Sequence, residues 1–297
     1  MHLIRGVTLT VADVERSEAL YTQTLGYSCV ERGTVSTDLA QSWGAEKTAG
    51  AAYAVLQPAS ERDVFIRFIQ QPAVDEYVAL RTYGWAAIEI CNQDTLAVNK
   101  IIEDSPFEII GPPKQLDGMP AIFPMQVKGP DQEIVYLTEI RDDMPDYDLP
   151  RAKSLIDHLF ILVMACSDME ATGAWLEKHL LIEKGRSMEI VYSMINNAFD
   201  LSHDTKHALA TLKHGKDVFL EIDRYPDEAT ARPAHADMLP PCVAIGSFIH
   251  PDFDSLMRVN KSHWIVPPIK RDGIMYQGKR AGVLRDPDGT LIEIIEA

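Results

Sequence analysis

The chain has 297 residues, 46% of them hydrophobic, and a formal net charge of −16. That length accommodates two domains of ordinary size, each with its own core. The acidity excludes a basic surface that would displace counterions from nucleic acid or seek an anionic membrane, and no apolar run approaches the roughly 18 residues of a membrane span.

The opening Met1-His2-Leu3-Ile4-Arg5 leads straight into a strand pattern without the regions of a signal peptide. Val7–Val11 reads as a strand, Asp13 caps a helix with Val14, Tyr21 and Leu25 on one side, and Gly26 ends it. Strands follow at Ala52–Leu56 and Val64–Ile69. A second strand–helix–strands unit begins at Trp85–Ile90, with Asp94 as cap, and closes at Ile134–Thr138. The acidic, proline-punctuated stretch Arg141–Pro150 reads as a linker. A third unit starts at His158–Val163, with Met169, Thr172, Leu176 and Leu180 at helical spacing, and a fourth runs from Val243–Phe248 to Leu291–Ile295. Cys29, Cys91, Cys166 and Cys242 are widely separated, as expected of reduced thiols in a cytoplasmic protein.

The two halves repeat. Asp63-Val64-Phe65-Ile66-Arg67 returns as Asp217-Val218-Phe219-Leu220-Glu221, Pro112-Pro113…Asp117-Gly118 as Pro267-Pro268…Asp272-Gly273, and Gly129-Pro130-Asp131 as Asp286-Pro287-Asp288, all about 155 residues apart. The chain is thus α+β: four βαβββ modules paired two by two, residues 1–144 and 152–297 each forming a domain with a curled mixed sheet.

That organisation, with the strand entry Val7–Ser17 and the closing Asp286-Pro287-Asp288-Gly289-Thr290-Leu291-Ile292-Glu293-Ile294, resembles the vicinal oxygen chelate superfamily, which includes glyoxalase I, extradiol dioxygenases and bleomycin-resistance proteins. Four modules in one chain look most like the extradiol dioxygenases. The resemblance implies one pocket per pair of modules, with divalent-metal ligands on the first and last strands of each module. In the second half those positions are His158, Glu221, approximately Ile245, and Glu293; in the first they are Gly6, Arg67, Trp85 or Ala86, and Tyr136. Metal chemistry is therefore expected in residues 152–297, with His158, Glu221 and Glu293 holding Fe, Mn, Zn or Ni. Either glutamate would serve as general base on a small oxygenated metabolite in a lyase- or isomerase-like reaction.

Strand alternation supports this: Phe219, Glu221 and Asp223 share one face, opposite Val218, Leu220 and Ile222. A carboxylate in an apolar strand is costly unless paired or coordinated. The gap near Ile245 keeps a metal-free reading open, a protein that binds or sequesters an apolar small molecule; an atypical extradiol-type dioxygenase is a further alternative. Glu89 reads as a solvated strand residue. The loop carrying Lys270, Arg271, Tyr276, Lys279 and Arg280 reads as a charged surface loop or a cover for the pocket mouth. His203, His207 and His214 read as surface residues. No glycine-rich phosphate loop is present, so no nucleotide cofactor is expected. The resemblance also makes a homodimer plausible.

Overall fold

A computed structural model describes residues 2–116 and 118–297; Met1 and Asp117, the latter in the repeated Pro-Pro…Asp-Gly pattern, lie outside the described residues. The first module comprises β1 (Ile4–Val11), α1 (Val14–Thr24), β2 (Ser28–Thr34), α2 (Thr37–Ser42), β3 (Ala52–Gln57) and β4 (Phe65–Gln70). The second comprises β5 (Gly84–Asn92), α3 (Thr95–Glu103), β6 (Glu108–Gly111), β7 (Ile122–Lys128) and β8 (Ile134–Ile140). The third comprises β9 (Ile156–Cys166), α4 (Met169–Leu180), β10 (Glu183–Val191), α5 (Ser193–Ala198), β11 (Lys206–His214) and β12 (Asp217–Arg224). The fourth comprises β13 (Cys242–His250), α6 (Phe253–Val259), β14 (Ile269–Lys270), β15 (Arg280–Arg285) and β16 (Leu291–Glu296).

The four modules share one device for turning strand into helix. An aspartate follows the first strand and its carboxylate accepts a backbone N–H in the first helical turn: Asp13 from Arg16, Asp94 from Leu96 and Ala97, Asp168 from Ala171, Asp252 from Ser255. Such a cap satisfies donors that the helix itself leaves open and contributes about 1 kcal/mol. After α1 the chain turns at Gly26, whose φ of 73° favours a residue without Cβ.

The modules pair, but not as consecutive neighbours. One eight-stranded sheet has the order β14-β15-β16-β13-β1-β4-β3-β2, joining the first module to the fourth. The other has the order β10-β11-β12-β9-β5-β8-β7-β6, joining the second to the third. The seams are the antiparallel pairs β1–β13 and β5–β9. The expected division into residues 1–144 and 152–297, each with its own sheet, is therefore replaced by an exchanged pairing. A duplicated sequence leaves this choice open, because the first strand of every module presents the same kind of edge to a partner.

The two sheets pack back to back on a shared core. Trp85 of the second sheet lies against Phe248 of the first, with ring centroids 6.1 Å apart, and Phe219 meets Phe248 at 5.4 Å. The indole N–H of Trp85 donates across to the Leu291 carbonyl at 2.8 Å. Gly246 lets this happen, since a Cβ there would stand 2.6 Å from the Trp85 ring. The other face of each sheet carries its own apolar lining. All four cysteines are free thiols. No helix among the described residues is long and apolar enough to cross a membrane.

Candidate functional site

Each cleft floor is built from four aligned positions, one strand pair from each module. In the first sheet Thr8 pairs with Arg67 and Ser247 with Glu293; in the second, Val163 pairs with Glu221 and Glu89 with Tyr136. The seams place these pairs symmetrically: Thr8 faces Ile245 and Ser247 faces Gly6, as Val163 faces Ala87 and Glu89 faces Ile161. Arg67, Tyr136, Glu221 and Glu293 are the last-strand members of these pairs, whereas the expected first-strand positions lie two to five residues before the paired ones: Gly6 before Thr8, Ile245 before Ser247, His158 before Val163.

The exchanged pairing separates the expected metal ligands. Glu293 lies in the first sheet, Glu221 in the second, and His158 near the head of β9, five positions before the residue that pairs with Glu221. His158, Glu221 and Glu293 have no hydrogen-bond partner in common. They do not form one ligand set. Among the described residues, the one group of three or more His, Cys, Asp or Glu side chains with ligand atoms within 4.8 Å of one another is Cys91, Asp157 and His158.

The first cleft is narrowed by its own side chains to a cavity of about 50 Å³. The Arg67 guanidinium donates to Thr8 Oγ1 at 2.9 Å and to the Tyr276 hydroxyl at 2.8 Å, and lies 3.5 Å from Glu293 Oε2. Glu293 also accepts from Trp43 Nε1 at 3.2 Å, Ser247 Oγ at 2.7 Å and Tyr276 at 2.8 Å. Arg67 and Glu293 are only 3% and 1% exposed, so a guanidinium occupies the place where the expected ligands would have faced an ion. The charge of Glu293 is compensated by Arg67 and three donors rather than by coordination. Tyr276, in the loop expected over a pocket mouth, is part of that plug. Lys270 is exposed, and Arg280 pairs with Asp254 and Glu296.

The second cleft keeps an open chamber of about 110 Å³. Its lining is overwhelmingly apolar, with Leu116, Met119, Phe160, Val218 and Leu209 among the walls. The stretch read as a linker contributes a wall too, through Met144, Tyr147 and Leu149. Against this surface stand the carboxyls of Glu89 and Glu221, the phenols of Tyr136 and Tyr192, and Arg186. Thr138 donates to Glu89 at 2.6 Å and Tyr192 to Glu221 at 2.5 Å. Burial pushes Glu89 up to about 8, the hydrogen bond from Thr138 opposing it. Burial likewise raises Glu221 and Asp223, and the charge of Glu221 raises Asp223 further.

Glu89, expected on a solvated edge, is thus a buried cleft residue. Strand alternation misplaced its neighbours as well. Bulges at Phe160 and Phe219 put Phe160 and Ile161 together on the cleft side and turn Phe219 into the inter-sheet core, leaving Val218 on the cleft side. His207 is buried and bonded to Asn196 at 2.6 Å, not a surface residue.

No family model and no curated relative matches the chain. Solved structures do. Glyoxalase I from Zea mays matches at a TM-score of 0.65 and 17% identity, over 99% of this chain and 92% of that one. A candidate dioxygenase from Bacillus subtilis subsp. subtilis str. 168 matches at a TM-score of 0.63 and 12% identity, over 99% of this chain and 84% of that one. These likenesses run through all four modules, and the chain has the vicinal-oxygen-chelate fold in its single-chain, four-module form.

Proposed function

We propose that the second-sheet chamber binds a small, largely apolar molecule by one or two of its oxygens, and that the first cleft is a structural counterpart. The observation that carries this reading is the pair Glu89 and Glu221, one from each half of the chain, facing a single apolar cavity. A carboxyl group in such surroundings favours its neutral form and can then donate as well as accept a hydrogen bond. Val163 and Tyr136 complete the quartet, so the chamber floor offers neither the two histidines of an extradiol site nor the four ligands of a glyoxalase site. The expected divalent ion at His158, Glu221 and Glu293 does not fit this arrangement.

Saturation-transfer NMR with a panel of phenols, catechols and small 2-oxo acids tests the reading. Binding is expected with the wild type and at least 10-fold weaker binding with Leu209→Trp, which fills the chamber. Undiminished binding by that variant would remove the chamber from consideration.

A second reading is catalytic. Two carboxyls from opposite halves of one floor suit proton removal beside a carbonyl and return at the adjacent atom, the isomerase-like chemistry expected from the resemblance. It predicts solvent deuterium uptake next to the carbonyl of a bound ligand, lost in Glu221→Gln while ligand binding persists. Uptake unaffected by that substitution would leave only the binding role.

A further inference from the structure

His158 sits in a second polar cluster, outside both cleft linings. Because β5 and β9 run antiparallel, the end of one meets the beginning of the other, bringing Cys91 to Asp157 and His158. Cys91 Sγ is 3.5 Å from His158 Nδ1, which is 3.2 Å from Asp157 Oδ1, and all three residues are buried. A tetrahedral ion with bonds of about 2.0–2.3 Å holds neighbouring ligand atoms about 3.3–3.6 Å apart. The observed separations already approach that spacing.

A fourth group stands beside them. The ring of His2 meets that of His158 edge-on at 6.0 Å. Its Nδ1 is 2.8 Å from Asp217 Oδ1, and the other oxygen of Asp217 accepts from the Leu3 amide at 3.0 Å. Its Nε2 is buried without a partner. An imidazole oriented by a carboxylate through one nitrogen, with the other nitrogen left over, is how metal-binding histidines are commonly prepared. Asp157 is likewise fixed: Oδ2 accepts from the Lys153 amide at 2.5 Å, Oδ1 from Ser60, and its carbonyl from Tyr27 at 2.6 Å.

Thiol catalysis fits less well. Cys91 and Asp157 approach the same nitrogen of His158, whereas a nucleophile relay needs the carboxylate on the opposite one. Charge balance favours an ion. A Cys91 thiolate and the Asp157 carboxylate neutralise a dication, and the nearby Arg62 guanidinium favours the thiolate form of Cys91.

We propose that Cys91, Asp157 and His158 form a site for a thiophilic divalent ion of the zinc type, and that His2, whose ring stands outside that group, is drawn in as fourth ligand when the ion binds. Binding transfers the Cys91 thiol proton to solvent and ties the start of the chain to the β5–β9 seam.

The test uses the full chain, stripped with a chelator and titrated with Co(II) as a spectroscopic substitute for Zn(II). One equivalent is expected to produce a near-ultraviolet thiolate-to-cobalt band and tetrahedral visible bands, both removed by excess Zn(II). Cys91→Ser abolishes the near-ultraviolet band, His2→Ala weakens binding at least 10-fold, and Glu221→Gln and Glu293→Gln titrate as the wild type does. Should Cys91→Ser fail to fold, protection of Cys91 from alkylation by one equivalent of Zn(II), read by mass spectrometry on the wild type, decides instead. Absence of stoichiometric binding at micromolar metal, a band that survives Cys91→Ser, or Cys91 alkylated at the same rate with and without Zn(II) would overturn the proposal.

Discussion

Arg67 and Glu293 show how one pair of side chains decides what a cleft can do. In the duplicated sequence they occupy last-strand positions in different halves, and only the exchanged pairing of modules brings them face to face. Buried ions of opposite sign tolerate each other's company far better than either tolerates being alone. Glu293→Ala, which strands the Arg67 charge, is expected to cost about 3–5 kcal/mol. The double variant Arg67→Met/Glu293→Leu should cost much less than the sum of the single substitutions, because it removes both charges and keeps apolar volume. Urea unfolding of all four proteins measures this; strictly additive costs would mean that the two charges do not interact. Glu221, by contrast, accepts from Tyr192 and has no ion-pair partner among the described residues, and that difference in partners separates the wider chamber from the narrower one.

At the scale of elements, helices and strands were legible because local chemistry writes them. Asp13 and Asp94 announced their caps, Gly26 its turn, and the last strands around Glu221 and Glu293 their apolar flanks. What the sequence does not encode locally is how far along a strand the functional position lies. That is set by the register against a neighbouring strand, and so the strand pattern points to His158 for the position that Val163 holds. Nor can alternation survive a bulge, as Phe160 and Phe219 show. Gly246 was equally silent, since the need for a bare backbone there comes from Trp85 of the opposite sheet. Gly246→Ala is accordingly expected to cost about 1–3 kcal/mol through overpacking. The penalty should shrink when Trp85 is replaced by Leu, and thermal melts of the single and double variants give the comparison. An equal penalty in both backgrounds would place the strain elsewhere.

For the molecule as a whole, the fold was readable from repetition and the pairing was not. Four copies of one pattern fix four modules, but nothing in the pattern says which copies join. The consequence is testable by division. Residues 1–150 and 151–297 produced separately each lack a partner for two central strands, β1 and β5 in one piece and β9 and β13 in the other. Neither piece is expected to show a cooperative thermal transition alone, whereas an equimolar mixture should regain one. A sharp, concentration-independent transition from either isolated piece would contradict the exchanged pairing.

That pairing also governs how the two copies can diverge. With consecutive modules joined, one copy could hold a working cleft unchanged while the other drifted freely. Here each cleft takes one wall from each copy, so a substitution in either half alters a surface that the other half must match. The plugged cleft and the open one are joint products of both copies, and neither half of this chain is a spare.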